Sequence, residues 1–540
     1  MPAERDASAT VEGATPPARR PIEMVEIGWE RIQLRLVVRG APADGEPRWV
    51  QAGDAGGTMP PTWSAAGGEL RMRFNVMVGP GQMPMSLGRW TLVDAAGRPL
   101  EIGNPEAVEP ETLERLFPFR GGHYEVRPSI DPGSRHLVLD IDGRRGGRSR
   151  HPIKRLRSWF RRVIGPRRRI FGLLLRWYAA TGTRTGRRVL FTSDSRAELS
   201  GNLAVVHERM VERGLDREYT LDSIFKPGIA ARRTWRDRLR LPRLLARADV
   251  ILLDDYQPII YRVPPAPDVR IIQLWHASGA FKTVGYSRVG KPGGPSPYAR
   301  RHKNYTHAIV SSRHDVPFYA EAFGIAEERV VPTGIPRMDR FFDEDQRARG
   351  RQRAIDEFPE IVGRRTILFA PTFRGSGPRT ARYDYELIDF GALHGVCVEK
   401  DAVMILKMHP FVREAWPVPA ALRDRLIDGT RSPIDVNDLL FAVDLLITDY
   451  SSIVFEYSTL LRPMLFFAYD LDEYVASRDF YVPFDEFVPG RIVRTFDELL
   501  DALRRDDYQA EKVPVFAARH FDHLDGTSTD RIIDQLILGR

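Results

Sequence analysis

At 540 residues the chain is too long for one ordinary core, and roughly two to four domains are expected. A composition of 43% hydrophobic and 28% charged residues is that of a soluble globular protein, so function must be sought in local features. The single cysteine, Cys397, excludes an internal disulfide framework and a cysteine-based zinc site, and a net charge of +8 points to anionic partners.

Residues 1–20 are rich in Ala, Pro, Thr and Glu and are expected to be disordered, with no apolar core of the signal-peptide kind. No run of about 18 apolar residues occurs, so no transmembrane helix is expected. From 21 to 143 apolar residues recur with period two, as in Leu34 and Leu36, or Met72, Phe74 and Val76. Gly and Pro clusters separate these runs, which predicts a small antiparallel β domain without evident chemistry.

No acidic residue lies between Asp142 and Asp194, and residues 144–186 mix many arginines with Trp159, Phe160, Phe171, Trp177 and Tyr178. Pro166 divides this stretch into two expected helices. A basic amphipathic helix with Trp and Phe suits an anionic membrane surface. Nucleic-acid binding and a plain interdomain helix pair are the alternative readings.

From about residue 187 short apolar runs alternate with helix-like segments. "ADVILLDD", "VRIIQLWHA", "RTILFAPT", "AVMILKMHP" and "VDLLITDYSS" lack polar alternation, as strands buried on both faces do. This predicts two parallel α/β domains, at 187–345 and 346–540, with ligands at the carboxyl ends of the strands. "GYSRVGKP" only approximates a P-loop, because Pro292 stands where Ser or Thr should hold magnesium. No GxGxxG follows a strand, so no nicotinamide cofactor is expected.

Three strand ends carry candidate chemistry. His276 follows one apolar run and His409, with Lys407, follows another, and a histidine so placed can serve as general base. Thr372 and Arg374 end a third run and suit phosphate contact. Residues 445–447 read as a strand that hands over to a helix through Thr448, Asp449, Tyr450, Ser451 and Ser452. Hydroxyls there can cradle a phosphate, or simply cap the helix. His302, His307, His314, His394 and His523 read as surface or packing residues.

"WHASGAFK", "PTGIPRMD", "ILFAPTFR", "LKMHP", "LLITDYSSIVFEYSTLLRPMLFFAYDLDEY" and "LDGTSTDR" follow one another as in a single family. From about residue 188 onward the chain resembles the CDP-glycerol glycerophosphotransferases, the polymerases and primases of teichoic acid synthesis. The resemblance implies a GT-B fold, two Rossmann-like domains across a cleft, here preceded by the all-β domain. It implies transfer of glycerol phosphate, or ribitol phosphate in relatives, from CDP-glycerol or CDP-ribitol to a lipid-linked polymer at the inner face of the membrane. Glycerol phosphate is the first expectation, and no cofactor, active-site metal or nucleic acid is implied.

Carried over by motif, His276 matches the base for the acceptor hydroxyl and His409 a group near the donor pyrophosphate. Ser451 and Ser452 match donor-phosphate contacts, Thr448 and Asp449 shape that turn, and Arg374 and Glu456 belong to the donor side. Ser278, Lys282, Thr372, Lys407 and Asp525 are weaker correspondences. The family's Gly-Thr after the first histidine is Ala277-Ser278 here. Two other readings are a nucleotide-sugar glycosyltransferase of the same fold and a non-catalytic membrane- or polymer-binding protein. The intact histidines and TDYSS block argue against the latter.

Overall fold

Apolar–polar alternation in the N-terminal quarter forms antiparallel strands, the arrangement in which each sheet can bury one face. The computed structural model describes residues 21–40, 47–52, 57–79, 82–145, 166–228, 231–262, 266–375, 379–412 and 414–540. The expected disordered start and residues 146–165 of the basic stretch lie outside them. The chain divides into two compact units.

Among the described residues of the first unit the strands are β1 (Glu23–Glu30), β2 (Gln33–Arg39), β3 (Arg48–Gln51), β4 (Thr58–Met59), β5 (Thr62–Ala66), β6 (Glu69–Asn75), β7 (Gly88–Val93), β8 (Arg115–Phe119), β9 (Gly122–Ile130) and β10 (Leu137–Arg145). They form two antiparallel sheets, ordered β1-β2-β6-β5 and β4-β3-β7-β10-β9-β8. The buried rings of Trp49 and Phe74 meet edge to face at 5.7 Å, one from each sheet. Val289–Pro292 and Ser296–Tyr298, far along the chain, belong to this unit. Tyr298 sets its ring against Phe119 and Tyr124.

The second unit holds two parallel six-stranded sheets. The first contains β11 (Arg188–Thr192), β12 (Thr220–Ile224), β13 (Val250–Leu253), β14 (Arg270–Gln273), β15 (His307–Ile309) and β16 (Val330–Val331), in the order β12-β11-β13-β14-β15-β16. The second contains β17 (Arg365–Phe369), β18 (Ala402–Leu406), β19 (Leu426–Asp428), β20 (Leu445–Thr448), β21 (Met464–Phe467) and β22 (Arg491–Val493), in the order β19-β18-β17-β20-β21-β22. Every residue of β13, β18, β20 and β21 is buried, which is why these runs show no polar alternation.

In the second sheet the strand order reverses at β17, which pairs with both β18 and β20. Phe369 stands level with Leu406 on one side and Ile447 on the other, so three carboxyl ends form one rim. Such a reversal opens a crevice for ligand.

The C-terminal segment does not stay with the second sheet, although a boundary at 345/346 places it there. Arg209 and Arg213, beside the first sheet, bind Asp530 at 2.8 and 2.9 Å, and Arg213 also binds Asp534 at 2.7 Å. Ile532, Ile533 and Leu536 join a core that holds Val189 and Phe191 of the first sheet and also Val403 and Leu446 of the second. A helix with one apolar face needs a partner surface, and its sequence does not name which half supplies it.

Candidate active site

His276 follows β14 by way of a bent backbone. Trp275 has a φ of +48°, a region a bulky residue rarely occupies without restraint. Asn202 supplies that restraint, donating to the carbonyls of Trp275 (2.6 Å) and Leu274 (3.3 Å), while Gln273 accepts from the Trp275 N–H at 3.0 Å. The imidazole is turned out of the sheet and lies against the Trp275 ring. It sits in a recess, with protein around it although 48% of the side chain stays open, and its Nδ1 is 4.0 Å from Asp255. Burial lowers its pKa, Asp255 opposes this, and Arg337 and Arg196 add to the lowering, so the ring is neutral near pH 7.

On the second sheet the polar knot after β20 is mostly internal fastening. Thr448 donates to the Ala370 carbonyl at 2.7 Å. Asp449 accepts from the N–H groups of Thr372 (2.7 Å) and Tyr450 (2.6 Å), from the Thr372 hydroxyl, and from Arg374 at 2.9 Å. Arg374 also grips Asp470 through two bonds of 2.5 and 2.7 Å and donates to the Thr372 carbonyl at 2.7 Å. Four of its five donors are therefore spent inside the protein, under the rings of Tyr450, Tyr469 and Tyr474. The charge of Arg374 is thus already shared by buried Asp449 and half-buried Asp470.

Beside this rim lies a cavity of about 740 Å³ lined by Pro371, Thr372, Lys407, His409, Arg431 and Ser451, among others. The Phe411 N–H donates to Nδ1 of His409 at 3.2 Å, which leaves the neutral ring's own proton on Nε2. Burial, and then the nearby Lys282 ammonium, hold the His409 pKa below the ordinary histidine value. Lys407 lines the cavity, but its ammonium is tied to the carbonyls of Gly429 (3.1 Å) and Ser432 (3.2 Å). Ser452 occupies the N-cap position of the helix Ile453–Ser458 without making a capping bond, and Ser451 accepts only a long one, 3.4 Å, from Ile453.

Several polar links cross between the halves, and two lie beside the candidate site. Buried Glu456 accepts from Ser278 at 2.8 Å and from Arg337, so its carboxylate faces the first half and not the cavity. Both bonds fall on Oε1, and Oε2, also buried, has no hydrogen-bond partner. Lys282 donates to the Tyr474 hydroxyl at 2.9 Å, and burial lowers its pKa to about 8. Asp525 is held apart from this cluster by Arg531 at 2.8 Å and by Thr527, which keep its pKa down at about 2.

Thus His276, Ser278, Lys282 and Glu456 gather where the halves meet, and His409, Thr372, Lys407 and Ser451 gather at the cavity. Asn202, Asp255 and Arg337 complete the first wall and were not singled out from sequence. Arg337 lies within the quoted "PTGIPRMD", but nothing in that string says it faces Glu456. A larger cavity, about 1220 Å³, lies under the helix Pro166–Thr181 with mostly apolar walls and includes neither histidine.

The family described as CDP-Glycerol:Poly(glycerophosphate) glycerophosphotransferase matches residues 180–538. The chain belongs to this family. Within the glycerophosphotransferases it is 50% identical over 348 residues to the teichoic acid ribitol-phosphate polymerase TarK of Staphylococcus aureus, covering 64% of this chain and 68% of that protein. The ribitol-phosphate polymerase TarL of the same organism is 44% identical over 418 residues, 76% of this chain and 74% of that one. The structure of the wall teichoic acid polymerase TagF shares the fold, with a TM-score of 0.54 at 22% identity over 71% of this chain and 97% of that one.

Proposed function

We propose that the protein transfers ribitol phosphate from CDP-ribitol to a terminal hydroxyl of a teichoic-acid-type polymer and releases CMP. Ribitol replaces glycerol, the first expectation, because the two relatives named above are both ribitol-phosphate polymerases at 50% and 44% identity. The carrying observation is the placement of the two histidines: each follows a strand of a different sheet, and each senses a group at the junction between the halves.

In this reading the two sheets are the two domains of a GT-B fold, with the donor in the cavity at the ends of β17, β18 and β20. The acceptor oxygen attacks the donor phosphorus that carries the polyol, and the bond from that phosphorus to the CMP oxygen breaks. His276, neutral, takes the hydroxyl proton. His409 donates through Nε2 to a phosphate oxygen, with Ser451 and Ser452 alongside, and stabilises charge passing to CMP. Thr372, Thr448, Asp449 and Arg374 hold the rim. Glu456, Ser278 and Arg337 fix the spacing of the walls.

The acceptor is lipid-linked and the enzyme works peripherally at the cytoplasmic face of the membrane. Supporting this, Ile170, Leu173 and Trp177 on one helix and Trp235 and Leu239 on the helix Trp235–Arg247 are exposed apolar residues beside many arginines. Among the described residues no helix is long and apolar enough to cross a membrane.

The test is mass-spectrometric detection of CMP from CDP-ribitol and CDP-glycerol, run beside sugar nucleotides, with a short lipid-linked acceptor. Turnover of CDP-ribitol above CDP-glycerol is expected. Turnover of sugar nucleotides alone would support the glycosyltransferase reading instead.

A further inference from the structure

The turn Arg313–Asp315 meets the end of the helix Lys512–His520. His314, Asp315 and His520 come together there, with one ligand atom from each lying within 4.8 Å of the others. Asp315 is fully buried, and neither of its carboxylate oxygens has a hydrogen-bond partner. His520 is 3% exposed, and its Nδ1 is likewise without a partner, 3.5 Å from an Asp315 oxygen. The rings of Phe455, Phe487 and Phe516 surround that imidazole. A carboxylate removed from water without hydrogen bonds is costly, and one loose imidazole contact does not satisfy two oxygens.

We propose that His314, Asp315 and His520 bind a divalent cation of the zinc class. Two imidazoles and one carboxylate are a donor set such ions accept, with water in the remaining position. The 3.5 Å gap between His520 and Asp315 is close to an edge of a tetrahedral site. His314 is exposed and already sets its ring edge-on to His520 at 5.2 Å, so solvent reaches the cluster from its side. The site clasps the C-terminal segment to the first half. It lies beside an existing link, in which the Ser312 hydroxyl stands 2.9 Å from the Asp522 carboxylate and 2.7 Å from the Arg519 carbonyl. Its role is therefore a brace for the arrangement of the halves, separate from the transfer chemistry.

The experiment is metal analysis of the full-length chain, free of any histidine tag, after incubation with zinc and dialysis. About one zinc ion per chain is expected. His314→Ala alters only the exposed ligand and should fold, and it should weaken zinc about tenfold or more in competition with a chromophoric chelator. Asp315→Asn should lose the ion. Chelator should lower the melting temperature of the wild type, with zinc restoring it, and should leave His314→Ala nearly unmoved. Substoichiometric zinc with an unchanged melting temperature would overturn the proposal, as would zinc retained equally by both variants.

Discussion

Asp449 accepts three hydrogen bonds through one oxygen and an arginine through the other, and this leaves the adjacent serines as the hydroxyls free to meet a ligand. The variants should separate accordingly. Ser452→Ala should raise donor KM about tenfold, equivalent to about 1.4 kcal/mol, with little change in melting temperature. A lowered melting temperature at constant donor KM would make that serine a plain cap. Arg374→Ala should strip buried Asp449 and half-buried Asp470 of their partner and cost about 3–5 kcal/mol in denaturant unfolding. A stably folded Arg374→Ala with only a donor defect would restore the direct phosphate contact. Lys282, with its pKa lowered to about 8, is charged at neutral pH and loses its charge as pH rises through that value. Because that charge acts on His409 across the junction, the rate of transfer should change above about pH 8 in the wild type and stay flat in Lys282→Arg, which remains protonated; equal profiles would remove Lys282 from the junction's electrostatics. The residue types of the knot were legible in the sequence. Their duties were not, because spacing along one strand end does not reveal which atoms the neighbouring strand end presents.

At the scale of elements, buried strands announced themselves by unbroken apolar runs, and the candidate residues stand where those runs stop. The junctions between elements were not legible. "PTGIPRMD" and "LDGTSTDR" turn out to face each other: Asp339 accepts from the N–H groups of Ser528 (2.9 Å) and Thr529 (2.8 Å). A Cβ on Gly334, whose φ is +87°, would stand 2.2 Å from the Ser528 hydroxyl oxygen. These motifs fasten the returning C-terminal segment and contribute no reacting group. Gly279 permits a similar approach, since a Cβ there would lie 2.1 Å from the Phe455 ring. Gly279→Ala should destabilise the protein by about 1–3 kcal/mol and also slow transfer, because the strain falls between Ser278 and Glu456. Unchanged stability and rate would mean that the junction is loose.

For the whole molecule the basic charge and the exposed tryptophans belong to one surface argument. The arginine-rich stretch was visible as composition, but its partner helix was not, because Trp235 and Leu239 sit some sixty residues further along the chain. Trp177→Ala with Trp235→Ala should reduce binding to anionic vesicles about tenfold, and added salt should reduce it further. Binding insensitive to both would remove the membrane surface from the account. The central claim is that the halves divide the labour, acceptor activation on the first and donor binding on the second. The direct measurement is calorimetric CDP-ribitol affinity beside CMP release for His276→Ala and His409→Ala. His276→Ala should bind the donor like the wild type while transfer falls about 10²–10⁴-fold, and His409→Ala should lose transfer together with donor affinity. Near-normal transfer by His276→Ala, or donor binding lost with it and kept in His409→Ala, would contradict the account.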